Sequence, residues 1–461
     1  MAKKVGLTKR GRMSKFSQLL TAIVIVIFSL TSSASSQFIV FYQKDGAAVS
    51  DWLGISVAGT GDVDGDGKTD FIVGALYADP GGLAEAGSAF VYSGATGALI
   101  FQKNGAAIGD ALGHTVAGTG DVNGDRRADF IISAPGADPG GLSHAGSAFV
   151  YSGADGSLLY QKDGVAVGDE LGLSVAGAGD VSGDGKADFI IGAPYADPDG
   201  LPLSGTAFVY SGGDGSLLFQ KKGAASFDVL GIRVAGVGDI NKDKRSDFII
   251  GAPGADPNGL NAAGSVFVYS GLDGSLLFQK NGAAVGDQLG YAVAGSGDVN
   301  RDAKADFIVG APTASPNGFA QAGSVFVYSG ADGSLLFQKN GAAGEGMGTS
   351  IALVEDISND GKSEFIIGAA RASPSGLDAA GSVFVYSGAN GSLLFRMNGT
   401  TAGDNLGVSV AGLGDVNGDK KGDFIAGAHG ADPRGFDQAG SCFVYSGTSS
   451  SSPFPRKRRP R

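Results

Sequence analysis

The sequence predicts an all-β chain closed into a seven-bladed β-propeller with four-stranded blades. Three observations predict it. The string G-D-[VI]-x-x-D starts its first Asp at Asp62, Asp121, Asp180, Asp239 and Asp298, relaxes at Asp356 and returns at Asp415, at intervals of 59 or 58 residues. No stretch of ten or more residues in the body carries a 3.6-residue apolar period, while short apolar runs alternate with turn signals. Finally, the segment before the first unit, Ile39 to Gly46, matches the fourth-strand segment Ser334 to Gly341, whereas the last unit stops after its third strand, Ser441 to Gly447.

Within each unit the elements follow one order. Strand one is the SVAG stretch (Ser174 to Gly177), strand two the FIIGA stretch (Phe189 to Ala193), strand three FVYS (Phe267 to Ser270) and strand four SLLFQ (Ser275 to Gln279). An acidic loop, an Ala-Pro-ADPxGL corner and an A-D-G or A-N-G turn separate them. Strands two and three are apolar on both alternating faces, as in sheets stacked face to face. Seven such sheets of about 59 residues fall within the usual range of propeller blades. An open solenoid is the competing architecture, but it has no use for an orphan fourth strand at its start. In a ring that strand completes the last blade and removes an exposed edge.

The ends differ from the body. Residues 1–36 read as a secretory signal peptide: Lys3, Lys4, Lys9, Arg10, Arg12 and Lys15 without an acid, the apolar core Leu19 to Leu30, then the small polar exit Thr31 to Ser36. Twelve apolar residues rise only ~18 Å as a helix, short of a ~30 Å hydrocarbon core. An uncleaved anchor is the alternative. The propeller is expected over 37–447, followed by a basic disordered tail, 448–461, with Arg456, Lys457, Arg458, Arg459 and Arg461. The formal charge of −12 therefore conceals a body of −23. Such a surface repels nucleic acid and suits cations. One Cys and three scattered His leave no disulfide, zinc site or His-rich catalytic centre. Cys442, standing where other units carry Ala89 or Val266, reads as a small core residue.

The chemistry is concentrated in the seven acidic loops. The first is Asp62-Val-Asp64-Gly-Asp66-Gly-Lys68-Thr-Asp70. Oxygens at positions 1, 3, 5 and 9, with the carbonyl of position 7, can converge on one hard cation, and Ca²⁺ fits better than Mg²⁺. The other sets are Asp121, Asn123, Asp125, Arg127 and Asp129; Asp180, Ser182, Asp184, Lys186 and Asp188; Asp239, Asn241, Asp243, Arg245 and Asp247; Asp298, Asn300, Asp302, Lys304 and Asp306; Asp356, Ser358, Asp360, Lys362 and Glu364; and Asp415, Asn417, Asp419, Lys421 and Asp423. Basic residues at position 7 enter through their carbonyls. Loops 62–70, 180–188 and 356–364 keep Gly at position 6 and are expected to bind best. The competing reading is that Asp, Asn and Gly simply make good turns. An acid at position 9, inside a strand start, is not required by turn chemistry.

The LG or MG pair, the D-x-[DNS]-x-D-x-x-x-[DE] loop and the Gly-Ala-Pro after strand two together resemble FG-GAP repeats. Those repeats build the seven-bladed head of integrin α subunits and occur in secreted bacterial proteins and a fungal lectin. The resemblance covers nearly all of 38–447. It implies Ca²⁺ in the strand one–two hairpins, up to seven ions, and ligand contacts on the opposite face. Leu76, Ala370 and His429 depart from its Pro, and Ser133 from its Gly. No integrin stalk, transmembrane helix or cytoplasmic tail is recognised.

On that opposite face, residues that differ between equivalent units are the candidates for ligand contact: Trp52, Tyr77, His114, Tyr195, Tyr291 and Arg371. Aromatic rings beside polar loops suit sugars or peptides, although drift at exposed positions gives the same pattern. The expectation is a secreted or cell-surface, monomeric, calcium-binding module. It engages an extracellular protein or glycan, without enzymatic activity. A lectin with inter-blade sugar pockets is the alternative, and a propeller enzyme acting on polysaccharides or phosphoesters the lesser one. No nucleic-acid partner is expected.

Overall fold

A computed structural model of the protein describes residues 38–447. The signal-peptide and basic-tail readings, for 1–36 and 448–461, lie outside the described residues. Within them, 28 strands form seven separate four-stranded antiparallel sheets, and the helices are seven three-residue 3-10 turns. Blade one is built from Leu53–Gly61, Asp70–Ala75, Ser88–Tyr92 and Leu99–Asn104, paired in chain order. The first strand of every blade packs on the first strands of both neighbours, which sets these strands around the axis.

The core lies between blades. Ile72 and Val91 of blade one pack against Phe130 and Ile132 of blade two, and the same layer recurs around the ring. The second strand of each blade, such as Asp188–Ala193, is buried throughout, as its two-faced apolar pattern predicts. The third strand differs from expectation: Phe267 and Tyr269 are only half-buried. Strand twist rotates the outer part of one sheet away from the next, so side chains from the neighbouring blade must bridge the widening gap. Phe219 stacks on Phe248 of the following blade at 5.9 Å, Phe248 stacks on Tyr269 at 5.5 Å, and Lys221 Nζ sits 4.4 Å from the Tyr269 ring. Lys221 then donates to the Gly274 carbonyl at 2.6 Å. Such an ammonium over an aromatic face adds ~0.5–1 kcal/mol.

The ring closes as the sequence predicts. Phe38–Asp45 pairs antiparallel with Ser441–Gly447, from Phe38 opposite Gly447 to Asp45 opposite Ser441, as the fourth strand of blade seven. This strand makes the same reach as Lys221. Lys44 Nζ donates to the Gly97 carbonyl at 2.6 Å and lies 4.7 Å from the Tyr92 ring, while Tyr42 stacks on Phe71. Cys442 is fully buried in this blade, and burial pushes its thiol up to about 12, so it is a packing residue.

Removing residues 38–45 is therefore expected to leave Ser441–Gly447 as an unpaired edge and to lower Tm with loss of cooperativity. Rejoining the same eight residues after Gly447 should restore the melt. Calorimetry of the truncated and permuted chains checks this; a truncated chain that melts like the parent would refute closure by this strand.

Candidate functional site

All seven acidic loops lie on the hairpins between strands one and two, at one end of the blades. The position-five acid organises each turn by accepting from the backbone N–H two residues on: Lys68 N to Asp66 at 2.9 Å, Arg127 N to Asp125 at 2.8 Å, Lys362 N to Asp360 at 2.9 Å. The backbone at position 6 is left-handed whether or not glycine occupies it. Gly67 has φ 84°, Arg126 72°, Lys244 72°, Ala303 65° and Lys420 67°. Glycine at position 6 thus does not separate loops by shape; non-glycine residues hold the same turn at a cost of about 1–2 kcal/mol.

The position-nine acid has a structural role that the sequence reading did not supply. Asp70 is fully buried, and its Oδ2 accepts from Val63 N at 2.8 Å and Asp64 N at 3.1 Å, while Oδ1 accepts from Gly94 N at 2.9 Å. Asp129, Asp247 and Asp306 repeat the pattern, each tying the loop to the strand three–four turn. These bonds alone account for an acid at this place. Burial nevertheless outweighs them, raising Asp70, Asp129, Asp247 and Asp306 to about 6 and Asp423 to about 7. A nearby cation favours the ionised form.

Metal fitness rests on convergence. Carboxylate oxygens of Asp62, Asp64 and Asp70 lie within 4.8 Å of one another, as do those of Asp356, Asp360 and Glu364. Oxygens so spaced can all reach one ion at ~2.3–2.6 Å. Glu364 Oε1 is also buried without a hydrogen-bond partner, an acceptor awaiting a positive group. These two loops fit Ca²⁺. Loop 180–188, expected beside them, is not among the converging acid triplets of the described residues, although it shares Ser at position 3 with loop 356–364. In three loops with Asn at position 3, the amide donates to the position-five acid instead: Asn123 Nδ2 to Asp125 at 2.8 Å, Asn300 Nδ2 to Asp302 at 2.9 Å and Asn417 Nδ2 to Asp419 at 3.4 Å. Basic position-seven side chains reach back to the preceding blade. Lys68 Nζ lies 3.7 Å from Asp415 Oδ2, and Arg127 Nη1 4.0 Å from Asp62 Oδ1.

On the opposite face the candidate residues separate into groups. Trp52, with φ 56°, sets its ring 4.8 Å from Tyr77 and 4.7 Å from His429, and its Nε1 donates to Gln438 Oε1 at 3.2 Å. This cluster bridges blades seven and one. His429 Nδ1 is buried and unpartnered, and burial lowers the imidazole to about 4, so it is neutral at pH 7. A second group lies at the entry to the innermost strands, where His114 and Tyr291 each follow an LG pair. Burial, then the charge of Arg233, lowers His114 to about 4. Tyr195 belongs with them, within electrostatic reach of Glu170, Tyr291 and Arg233. Arg371 is exposed and has no ion pair with the others among the described residues.

Comparison with known proteins agrees with this geometry. The FG-GAP repeat pattern matches residues 53–92, 112–151, 171–215, 231–269, 289–328 and 347–386. The chain belongs to the FG-GAP repeat family. The seventh blade, outside the six matched stretches, carries the same sheet. The chain is 31% identical over 185 residues to integrin alpha-3 of Cricetulus griseus, covering 36% of this chain and 17% of that one. It is 30% identical over 220 residues to integrin alpha-V of Gallus gallus, covering 44% and 20%. It thus spans about a fifth of the length of these relatives. Raptor of Chaetomium thermophilum shares the fold, with a TM-score of 0.53 at 9% identity over 91% of this chain and 29% of that one. No helix among the described residues is long and apolar enough to cross a membrane.

Two residues of the cluster on the face opposite the acidic loops were not selected from sequence. Gln438 is far from Trp52 in the chain, and His429 registered only as a lost proline. The readable signal was repeat alignment, which marks His429 as the one imidazole at its position.

Two substitutions in loop one separate ligand from scaffold. Asp64→Ala is expected to abolish the calcium-dependent rise in Tm contributed by that loop and to leave the melt in chelator unchanged. Asp70→Ala should lower stability in chelator too, by about 2–3 kcal/mol, because it strands buried N–H groups. Denaturant unfolding with Ca²⁺ and with EDTA checks both; equal effects would contradict the division of roles.

Proposed function

We propose that this protein is a secreted, non-enzymatic adhesion or ligand-binding module, stiffened by calcium on one face and binding its ligand with the other. Calcium enters the hairpin loops, with Asp62, Asp64 and Asp70 and with Asp356, Asp360 and Glu364 as the best-formed sets. Bound there it supplies charge neutralisation, and the loop residues hold the turn that spaces adjacent blades. The integrin subunits similar to this chain, and its FG-GAP membership, support a cell-surface or extracellular setting and a protein or glycan partner.

The observation that carries the reading is the Trp52, Tyr77 and His429 cluster. A cluster of rings with Gln438 as its polar neighbour joins two blades on the face away from the acids. Exposed Val49, Ile108, Val165, Phe227 and Val285 lie on the strand four–one loops leading into the first five blades, adding apolar surface on that side of the ring. Large exposed apolar patches rimmed by polar groups mark interaction sites. The lectin reading is favoured by the same cluster, since edge-on and tilted rings around a neutral imidazole suit the apolar face of a pyranose.

Trp52→Ala is expected to weaken capture of the ligand found in a glycan and matrix-protein screen by about tenfold or more, given the weight of tryptophan at binding hot spots, with Tm shifted by only a few degrees. Surface plasmon resonance on the screened ligand checks it. Unchanged affinity would remove this cluster from the binding surface. Binding lost in EDTA and restored by Ca²⁺ is expected for the parent chain.

A further inference from the structure

In five blades, the second residue after the LG pair is a hydroxyl that clasps the next blade near the axis. Ser56 Oγ accepts from Val116 N at 3.1 Å and Ser174 Oγ from Val234 N at 3.1 Å. Thr115 donates to the Leu173 carbonyl, Ser350 to that of Gly407 and Ser409 to that of Gly54, each at 2.8 Å. Blades four and five break the series with Arg233 and Ala292. Arg233 makes no clasp. Its Nη1 turns back to the Ile232 carbonyl at 2.8 Å, and its guanidinium carbon lies 5.7 Å from the Tyr291 ring centroid.

A scaffold position has thus been given to a cation, in a body whose formal charge is −23. Among the described residues, no carboxylate lies within ion-pair distance of it. Arg233 is half-buried at the start of the innermost strand, on the face opposite the acidic loops. Tyr195 and Tyr291 bring hydroxyls and rings to the same place, and His114 there is a neutral imidazole. Glu170 stands beside Tyr195 but does not pair with Arg233. A half-buried guanidinium with one backbone bond retains most of its donor fork, which matches a carboxylate bidentately. Phenol rings and hydroxyls next to it match a sugar ring rather than an extended acidic side chain.

We propose that the axial mouth formed by Arg233, Tyr195, Tyr291 and His114 binds the carboxylate of an acidic sugar, with Arg233 as the anion anchor. This rests on the reading of that face as the ligand face and names a chemistry for it. The sugar is a uronic acid residue, whose ring-borne carboxylate can meet the guanidinium while its ring lies against the phenols.

The test is calorimetric titration of the full chain, in Ca²⁺, with oligogalacturonate, the neutral galactose oligomer and an Asp-rich peptide. The variants are Arg233→Ser, Arg233→Lys and Trp52→Ala. Serine restores the clasp hydroxyl of the other blades, so Arg233→Ser should melt at or above the parent Tm. The expected result is binding of oligogalacturonate about tenfold or more tighter than the neutral oligomer, lost at least tenfold in Arg233→Ser and partly kept in Arg233→Lys. Equal affinity of the parent and Arg233→Ser for oligogalacturonate, or no binding by the parent, overturns the proposal. Preference for the Asp-rich peptide overturns the sugar assignment. If the Arg233 variants change nothing while Trp52→Ala still abolishes capture of the screened ligand, the axial site fails and the ligand face stands. If neither Arg233→Ser nor Trp52→Ala affects any ligand, both fail.

Discussion

Seven strands meeting around one axis leave no room for a β-carbon where they come closest. A Cβ on Gly118 would lie 2.5 Å from the Gly59 carbonyl oxygen, one on Gly177 2.7 Å from that of Gly118, and one on Gly236 2.8 Å from that of Gly177. This contact fixes the spacing of adjacent blades at their inner edge. Everything outward follows from it: fully buried second strands, third strands whose aromatics are half-buried in most blades, and the Phe, Tyr and Lys triples that fill the diverging gap. Leu353 occupies the equivalent place in blade six, and nothing in the structure explains that exception.

The same blade spacing brings the hairpin loops into contact. Position-seven cations of one loop approach the carboxylates of the loop before it, so neighbouring sites share an electrostatic environment. Mutual repulsion of three carboxylates within 4.8 Å is the quantity a bound cation relieves. Loops with Asn relieve part of it internally through an amide. The acid at position nine serves both ends, since its oxygens anchor the turn while remaining close to the other acids.

In the proposed function, ligand binding is separated from this machinery by position. A residue repeated seven times serves the ring, and a residue that departs from the repeat on the opposite face is free of that duty. Trp52 and Tyr77 depart at half-buried loop slots. Arg233 departs more expensively, because its place in five other blades is held by a clasping hydroxyl.

Much of the architecture was legible in the residues. The 59-residue period, the turn signals and the orphan strand Phe38–Asp45 determined seven blades and their closure, because periodic patterning is local information. The acidic loops were equally legible as loops. The sequence could not tell which acids converge, since that depends on rotamers and on competing N–H donors such as Gly94, 24 residues beyond Asp70. Nor could it join Trp52 to His429 and Gln438, or set Arg233 against Tyr291 with no acid among the described residues to pair with it. Those neighbours come from different blades. Sequence by itself determined the repeat and its ring; only the closed ring, which brings distant loops together around one axis, decided the sites.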